Sequence, residues 1–400
     1  MNDIFLLDNA VQNYGWGSYT AIPDLLGLPS PSKEPMAELW MGAHPKAPSK
    51  INQKGVWHPL DRLIDENPGA FLGENIAGIY GNALPYLFKV LAAAEPLSIQ
   101  AHPNQCQAQK GFESENRAGI PLNAPHRNYR DSNHKPEIIC ALTPFYALNG
   151  FRRFQDIAER LGRVCPESLK SKLNELRHFS QSEALKDLFG YLMMASPDRK
   201  RGIVKEATTN ARNAESDPEM CWIGILHEKY PGDIGVLGPL FLNLVRLEPG
   251  QAMFLPAGQL HAYLEGTGLE LMANSDNVLR GGLTPKHIDV HELLRVLRFD
   301  ETQIDILKPR YVSEAEQVYD SPAEEFCLSI ITGYPDKPLT VSGSGSADIL
   351  LCTDGKGRIA VSGGHTEQTI KKGDAYFVPA SVGAYRIQGQ AIIYRASVPN

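Results

Sequence analysis

Gly250-Gln-Ala-Met-Phe-Leu-Pro-Ala257 and Gly373-Asp-Ala-Tyr-Phe-Val-Pro-Ala380 are two copies of one pattern, 123 residues apart. Gly, Ala, Phe, Pro and Ala recur in register, and Gly266 coincides with Gly389 at the same spacing. A turn glycine, an alternating strand and a proline-ended turn are typical of a jelly-roll hairpin. The repeat therefore predicts two β-barrels; the alternative is chance, because glycine and proline are common at turns.

The two copies differ at one position that matters for chemistry. At the same spacing, His261 in the first copy coincides with Ala384 in the second. We therefore expect the first barrel to hold a metal and the C-terminal barrel to lack metal ligands and to be structural or regulatory.

The pattern between the two β-rich parts changes to helical periodicity. Apolar residues recur there at three- and four-residue intervals, and Ser182 and Ser196 are predicted N-caps. The predicted helices are Asp156–Leu161, Pro166–His178, Glu183–Met194, Asp198–Ala211 and Pro218–Lys229. The fold class is thus mainly β with an α-helical insertion: two jelly-roll barrels plus a helical domain.

These boundaries define three predicted units. Residues 1–150 and 239–300 form the metal-binding barrel, residues 151–238 the helical insertion, and residues 301–400 the C-terminal barrel. A chain of 400 residues is long enough for each unit to bury a core.

Composition excludes several classes of protein. The net charge of −7 argues against nucleic-acid and membrane-surface binding. Six scattered cysteines without a Cys-x-x-Cys pair argue against a disulfide scaffold. No signal peptide or membrane span is evident, so a cytoplasmic protein is expected, and we expect it to act as a monomer.

A candidate metal site begins in the first repeat. Gly250-x5-Pro256-x-Gly258-x-x-His261 resembles the second motif of cupins, which are small metal-binding barrels. A lone histidine at a strand start is more often structural. However, Gln100 and His102 are two residues apart, and such residues face the same side of a strand.

Glu137 supplies a carboxylate to the same candidate site. It opens the apolar run Ile138–Leu142, and a buried carboxylate is costly unless it is paired or metal-bound. One glutamine, two histidines and one glutamate form a mixed N/O set suited to zinc, with a position open for substrate. Manganese and cobalt also fit this set.

Five stretches resemble type I mannose-6-phosphate isomerases. They are Gln12-Asn-Tyr-Gly-Trp-Gly17, Ala37-Glu-Leu-Trp-Met-Gly-Ala-His-Pro45, Pro96-Leu-Ser-Ile-Gln-Ala-His-Pro-Asn104, Tyr129-Arg-Asp-Ser-Asn-His-Lys-Pro-Glu137 and Leu271-Met-Ala-Asn-Ser-Asp-Asn-Val-Leu-Arg-Gly-Gly-Leu-Thr-Pro285. The resemblance implies one Zn²⁺ per chain, held by Gln100, His102, Glu137 and His261. It also implies that a sugar phosphate is the substrate, with mannose 6-phosphate and fructose 6-phosphate interconverted through a cis-enediol.

Two basic residues are candidates for catalysis. Lys135 shares a strand face with Glu137 if the strand begins there, although a surface lysine is the alternative. Arg280 matches an arginine that the family uses in its active site; an ion pair with Asp276 is the alternative.

The proton-transferring base remains open at this stage. Asp276 could orient Arg280 or relay a proton, and Glu270 could act as the base or pair with Lys135. His134 is a weaker candidate, since alternation points it away from the site. The sequence does not rank Glu270, Asp276 and Lys135.

Residues 103–133 separate two predicted metal strands and are expected to cover the mouth of the site. Lys110, Arg117, Arg127 and Arg130 are candidate phosphate ligands, although each alone resembles an ordinary surface cation. By resemblance the pocket would also include four further residues, for which an ordinary structural role is the alternative: Trp16, Trp40, His44 and Lys89.

Two other functions compete with the isomerase prediction. A cupin with a mixed N/O site could be an iron or manganese oxygenase, and a protein of this fold could bind sugars without catalysis. Related proteins fuse the activity to mannose-1-phosphate guanylyltransferase, but no nucleotide-transfer motif is visible. Neither a Walker loop nor a dinucleotide glycine motif occurs, so ATP and NAD have no support.

Overall fold

A computed structural model describes residues 3–178, 181–212, 217–343, 345–364 and 367–399. The strands, numbered β1 to β21 in chain order, are Phe5–Asp8, Ala10–Gln12, Glu38–Met41, Lys50–Gln53, Val56–Pro59, Tyr86–Ala93, Ile99–Ala101, Glu137–Ala141, Phe145–Phe151, Leu242–Leu247, Ala252–Leu255, His261–Ala273, Leu279–Gly282, Arg310–Tyr311, Glu316–Tyr319, Cys327–Gly333, Leu339–Ser342, Asp348–Val361, Glu367–Lys371, Ala375–Val378 and Ala384–Ser397.

The α-helices are numbered in the same way. In the order α1 to α12 they are Ala21–Leu26, Leu60–Glu66, Pro68–Leu72, Glu74–Tyr80, Gln105–Arg117, Phe154–Val164, Lys170–His178, Gln181–Met194, Pro197–Ala211, Pro218–Lys229, Gly238–Phe241 and Val290–Val296. Short 3₁₀ turns occur at Glu167–Leu169, Ile234–Leu237 and Ala380–Val382.

The strands form two antiparallel sheets, each closing into a barrel, which confirms the predicted fold class. One sheet contains β2, β3 and β6 to β13, and the other contains β14 to β21 together with β1, β4 and β5. The first strand therefore belongs with the C-terminal barrel: Phe5 pairs with Phe377 and Leu6 with Tyr376. The sequence-based assignment of residues 1–150 to one unit missed this pairing, because the alternation of hydrophobic residues does not show which strands are neighbours.

The repeated glycines have the same structural role in both barrels. Gly266 and Gly389 have φ of 124° and 131°, and each lies where a neighbouring strand comes very close. An added Cβ would lie 2.6 Å from the Pro144 carbonyl oxygen at the first position, and 2.4 Å from Gly357 Cα at the second. Only glycine fits such positions, so the spacing in the sequence reflects a duplicated bend.

Helices α6 to α11 lie between β9 and β10, and helical periodicity predicted α6 to α10 but not the short α11. Ser196 caps α9 as predicted, accepting a hydrogen bond from the Arg199 amide. Ser182 is not a cap, because α8 already begins at Gln181. Phe241 ends α11, and β10 follows directly.

The long strand β18 is bent by a register shift after Cys352. The insert expected to cover the mouth of the site begins with the helix α5, whose first turn is held by a capping box of Asn104 and Gln107. In the part of the chain that the structure describes, no helix is long and apolar enough to cross a membrane.

Candidate metal centre and active site

The predicted metal ligands converge inside the first barrel. Gln100 lies in β7 directly opposite His261, the first residue of β12. His102 follows β7, and Glu137 opens β8. His102, Glu137 and His261 are each at most 1% exposed, and one potential ligand atom from each lies within 4.8 Å of the others.

The distances fit a tetrahedral cation site. His102 Nε2 lies 3.4 Å from Glu137 Oε1, and His261 Nε2 lies 3.3 Å from Glu137 Oε2. The Gln100 amide nitrogen lies 3.4 Å from His261 Nε2. Ligands bound to zinc at roughly 2.0–2.2 Å in a tetrahedron are about 3.3–3.6 Å apart. His102, Glu137 and His261 therefore already have a spacing that suits a zinc ion, and the Gln100 amide lies next to them.

Three of the converging atoms lack a hydrogen-bond partner among the described residues. They are His102 Nε2 and both carboxylate oxygens of Glu137. Buried polar atoms are normally satisfied, and leaving them unpaired is costly. A bound cation would satisfy all three at once, so these residues fit a metal.

Backbone carbonyls fix the tautomers of both histidines. His102 Nδ1 lies 2.7 Å from the Asn277 carbonyl oxygen, and His261 Nδ1 lies 3.0 Å from that of Gln259. A carbonyl can only accept, so each Nδ1 carries the proton and each Nε2 presents a lone pair to the cluster. Rotating the Gln100 amide by half a turn would add its oxygen to the same set.

The ionisation states also suit a cation. Burial would raise the pKa of Glu137, but the Lys135 ammonium and the two imidazoles hold that pKa well below its usual range. Burial lowers the pKa of His102 and outweighs the attraction of Glu137. Metal ligands must be deprotonated, and both groups are biased that way.

A pocket of about 310 Å³ opens beside the cluster, at the lower end of the size range for small-molecule sites. Lys135, Glu270 and Arg280 line it, as does Trp16, whereas His134 and Asp276 do not. Its other polar lining residues are Tyr14, Glu38, Lys89, Ser98, Gln100, Tyr230, Tyr263, Thr284 and Lys286.

One ion pair in the pocket differs from the hypothesis that Glu270 pairs with Lys135. Glu270 pairs with Lys89 at 2.8 Å, not with Lys135. Lys135 Nζ lies 2.9 Å from Glu137 Oε1, although the two are not aligned for a hydrogen bond. Burial opposes the charge on Lys89, but Glu270 and Glu38 more than compensate and raise its pKa. The spacing of these residues along the sequence does not show which acid faces which lysine, because that depends on how the strands pair.

Asp276 and His134 make other contacts than those considered from sequence. Asp276 pairs with Lys46 at 2.7 Å and lies 3.5 Å from His44, so it does not orient Arg280. His134 Nε2 lies 2.5 Å from Glu325 Oε1, in the segment leading to β16. Both residues lie on the loops around the site, outside its pocket.

Arg280 and Lys286 line one end of the pocket, and Arg130 lies near both; none of the three has a carboxylate partner in the described part of the chain. Burial lowers the pKa of Arg280, and repulsion from Arg130 lowers it further. Burial likewise lowers the pKa of Lys286, with repulsion from Arg280 and Arg130 added. Unpaired, mutually repelling cations are suited to an anionic ligand.

Lys286 was missed from sequence, although it directly follows the family-like stretch that ends at Pro285. Of the other predicted phosphate ligands, Lys110 and Arg117 are exposed on α5. Arg127 is buried and structural, because it donates to the Tyr129 and Ile120 carbonyl oxygens. Trp40 donates to Glu38 Oε2 at 2.7 Å, and so supports the pocket wall from behind.

In the second barrel, the acid that corresponds to Glu137 lies near an arginine. Asp348 lies opposite Val378 in the sheet, just as Glu137 lies opposite Leu255. Since Leu255 and Val378 correspond in the sequence repeat, the two acids hold equivalent positions. Asp348 is 1% exposed, and its nearest cation is Arg395, with Nη1 at 3.7 Å. Burial outweighs that cation and raises the pKa of Asp348 to about 6.

Fold and site together define a double-barrel metalloprotein with a helical insertion and an anion pocket. The chain matches two family descriptions: phosphomannose isomerase type I, catalytic domain, over residues 4–154, and phosphomannose isomerase type I, helical insertion domain, over residues 164–242. It is 42% identical to the mannose-6-phosphate isomerase of Escherichia coli over 394 residues, covering 97% of this chain and 98% of that protein. The chain belongs to the type I phosphomannose isomerase family.

Other relatives agree with this assignment. The mannose-6-phosphate isomerase of Rattus norvegicus is 36% identical, and 94% of each chain is covered. A variant of phosphomannose isomerase from Salmonella typhimurium superposes with a TM-score of 0.92 at 39% identity, covering 99% of this chain and 100% of that one. A zinc-bound mannose 6-phosphate isomerase superposes with a TM-score of 0.91 at 40% identity and the same coverage.

Proposed function

We propose that this protein is a zinc-dependent isomerase that interconverts mannose 6-phosphate and fructose 6-phosphate through a cis-enediol. The observation that carries the proposal is the buried cluster whose two histidine Nε2 atoms and unpaired carboxylate face one point beside the pocket. Gln100, His102, Glu137 and His261 would hold one Zn²⁺. When bound, zinc supplies a Lewis acid that favours negative charge on the sugar oxygens.

The cations at the pocket end would hold the phosphate. Arg280, Arg130 and Lys286 repel one another and lack carboxylate partners among the described residues. A dianionic phosphate relieves that repulsion, and arginine offers it paired donors. The chain as a whole is acidic, so this local group is what attracts the substrate.

The proton would move between C2 and C1 of the open-chain sugar. Glu270 is the best candidate for the base, since its carboxylate lines the pocket and its bond to Lys89 fixes it in place. Lys135 would donate a proton or hydrogen bond to a sugar oxygen, because its ammonium lines the same pocket. Base and acid groups of this kind contribute about 10²–10⁴-fold each.

The remaining proposals concern the architecture and the setting. Residues 1–150 and 239–300, apart from β1, β4 and β5, would form the catalytic unit. Residues 151–238 would form a helical insertion, and residues 301–400 together with those three strands would form a barrel without metal. The free cysteines support a reducing compartment such as the cytoplasm. We propose that the protein acts as a monomer.

An exchange experiment tests the assignment of roles. Wild-type protein incubated with mannose 6-phosphate in deuterated water should form fructose 6-phosphate and incorporate deuterium. Glu270→Gln should lose both product and exchange, whereas Lys135→Met should lose turnover but keep measurable exchange. Lack of isomerisation by zinc-loaded wild type would contradict the function, and exchange by Glu270→Gln at the wild-type rate would contradict only the base.

A further inference from the structure

A second positively charged concavity lies on the C-terminal barrel, apart from the first barrel and its metal centre. It is formed by the outer face of β19, β18 and β21, and we name it the C-terminal groove. Its cavity measures about 860 Å³. The residues that define the groove are Lys356, Arg358, Lys371, Lys372, Gln388 and Gln390.

The strand register arranges these side chains in rows. Lys356 lies directly opposite Lys371 on one side and Gln390 on the other. Two residues further along the same face, Arg358 lies opposite Gln388. Opposed residues on one face are about 4.5–5.5 Å apart, so cations and amide donors are presented side by side across three strands.

The facing lysines Lys356 and Lys371 are unfavourable for the stability of the fold in the absence of a ligand. Like charges directly opposite each other destabilise an antiparallel pair. No ion pair joins Lys356, Lys371 or Lys372 to a carboxylate in the described part of the chain. Arg358 has one weak partner, Glu367 at 3.3 Å. In a protein of net charge −7, such a concentration of unpaired cations is not a general property of the surface.

The concave shape is built into the strands. The register of β18 against β21 shifts after Cys352, and Gly389 in β21 has a φ of 131°. Bulges of this kind bend a strand and increase its twist. The bend turns the outer face inward, so that the cations on it point toward a common space.

Acidic residues limit the extent of the positive surface. Asp354 lies at its rim, and Asp374 accepts a hydrogen bond from the Lys371 amide at 3.0 Å. Together with Glu367 they interrupt the positive potential on both sides. This confined charge fits a small ligand better than a long polyanion, which needs a continuous basic track.

We propose that the C-terminal groove binds a small anion carrying two or more phosphate groups. Lys356, Lys371 and Arg358 would bind neighbouring phosphates, and Gln390 would donate to their oxygens or to the attached group. The Gln388 amide donates to the Pro335 carbonyl oxygen at 3.1 Å and so shapes the edge of the groove. The ligand removes the repulsion between the two lysines, which is why the fold can keep them opposed. This site is independent of the proposed isomerase activity.

The test is a calorimetric titration with pyrophosphate saturated by magnesium, which limits extraction of the metal from the first barrel. Full-length protein carrying Arg280→Ala is used throughout, so that the cations of the active-site pocket contribute less. Lys371→Glu is compared with a matched charge reversal, Lys205→Glu, at an exposed lysine of α9. We expect Lys371→Glu to weaken binding about tenfold or more, because a charge-assisted hydrogen bond is replaced by repulsion, while Lys205→Glu stays within about twofold.

A stability measurement separates loss of binding from loss of fold. In Lys371→Glu the new glutamate lies opposite Lys356, so the thermal midpoint of this variant should equal or exceed that of the parent protein. If the midpoint is lower, Lys356→Gln is tested instead. Absence of pyrophosphate binding to the parent, or equal binding by the groove variants, overturns the proposal. Tighter binding of a 20-nucleotide single strand through the same lysines would overturn the assignment to a small ligand.

Discussion

Replacing Asn277 by alanine should weaken both the fold and the metal site. Its side chain is fully buried and ties down the loop that carries Arg130. Asn277 Oδ1 accepts from the Arg130 amide at 2.7 Å, and Nδ2 donates to the carbonyl oxygens of Asp131 at 2.9 Å and Asn133 at 2.8 Å. The backbone carbonyl of the same residue accepts from His102 Nδ1.

The size of the effect follows from those bonds. Three well-formed hydrogen bonds contribute about 0.5–1.5 kcal/mol each, so Asn277→Ala should lower the free energy of unfolding by roughly 2–4 kcal/mol. If the loop moves, the Asn277 carbonyl oxygen holds the His102 ring less firmly. Zinc binding should then weaken by about 10–100-fold, the usual effect of losing a hydrogen bond that orients a metal ligand.

Urea unfolding and a competitive zinc titration measure the two effects. Asn274→Ala is the matched control, since that side chain donates a single bond of 3.3 Å to the Leu84 carbonyl oxygen; it should cost less than about 1 kcal/mol. If Asn277→Ala were no less stable than Asn274→Ala and bound zinc as tightly as wild type, the positioning role of Asn277 would be refuted.

Three further predictions concern other parts of the molecule. Arg395→Met removes the guanidinium from Glu316, at 2.9 Å, and from the buried Asp348, at 3.7 Å, and should cost about 3–5 kcal/mol in urea unfolding at about pH 8, where Asp348 is charged; adding Asp348→Leu should recover part of that loss, and no recovery would refute the pairing with Asp348. Burial would raise the pKa of Glu219, but a hydrogen bond with Asp217 and the Arg152 guanidinium, at 2.5 Å, lower that pKa to about 2. Because that folded pKa is depressed, its stabilisation of up to about 3 kcal/mol is complete above pH 4.5 and fades as pH falls toward 2. Glu219→Gln should therefore have a lower free energy of unfolding than wild type at pH 7, and this difference should shrink only below about pH 4.5. A difference that does not change with pH would contradict this prediction. Lys286→Ala should raise KM for mannose 6-phosphate at least about tenfold with a smaller change in kcat; an unchanged KM would remove Lys286 from the phosphate site.

Features set by local geometry were predictable from sequence. The two-residue spacing of Gln100 and His102, the costly Glu137 at the head of an apolar strand, and His261 after a proline-ended turn together indicated three strands around one point. The repeat that contains His261 indicated two barrels, because a duplicated bend needs glycine at the same place in each copy. Helical periodicity located α6 to α10 for the same local reason.

Features set by tertiary pairing were not predictable. Glu270 faces Lys89 rather than Lys135 because strand register, and not spacing along the chain, decides which acid and base meet. Asp276 turns toward Lys46 for a similar reason, since both lie on loops whose approach depends on the whole barrel. The pairing of β1 with β20 joins opposite ends of the chain, and no local pattern encodes it.

The most direct test of the account is fructose 6-phosphate formation from mannose 6-phosphate as zinc is removed and restored. Activity should disappear in chelator-treated protein and return as zinc is added, reaching its maximum at one equivalent per chain. His261→Ala should show no such recovery at one equivalent. Full activity in metal-free protein, or none in folded protein loaded with one zinc, would contradict the claim that these four residues hold the ion of an isomerase.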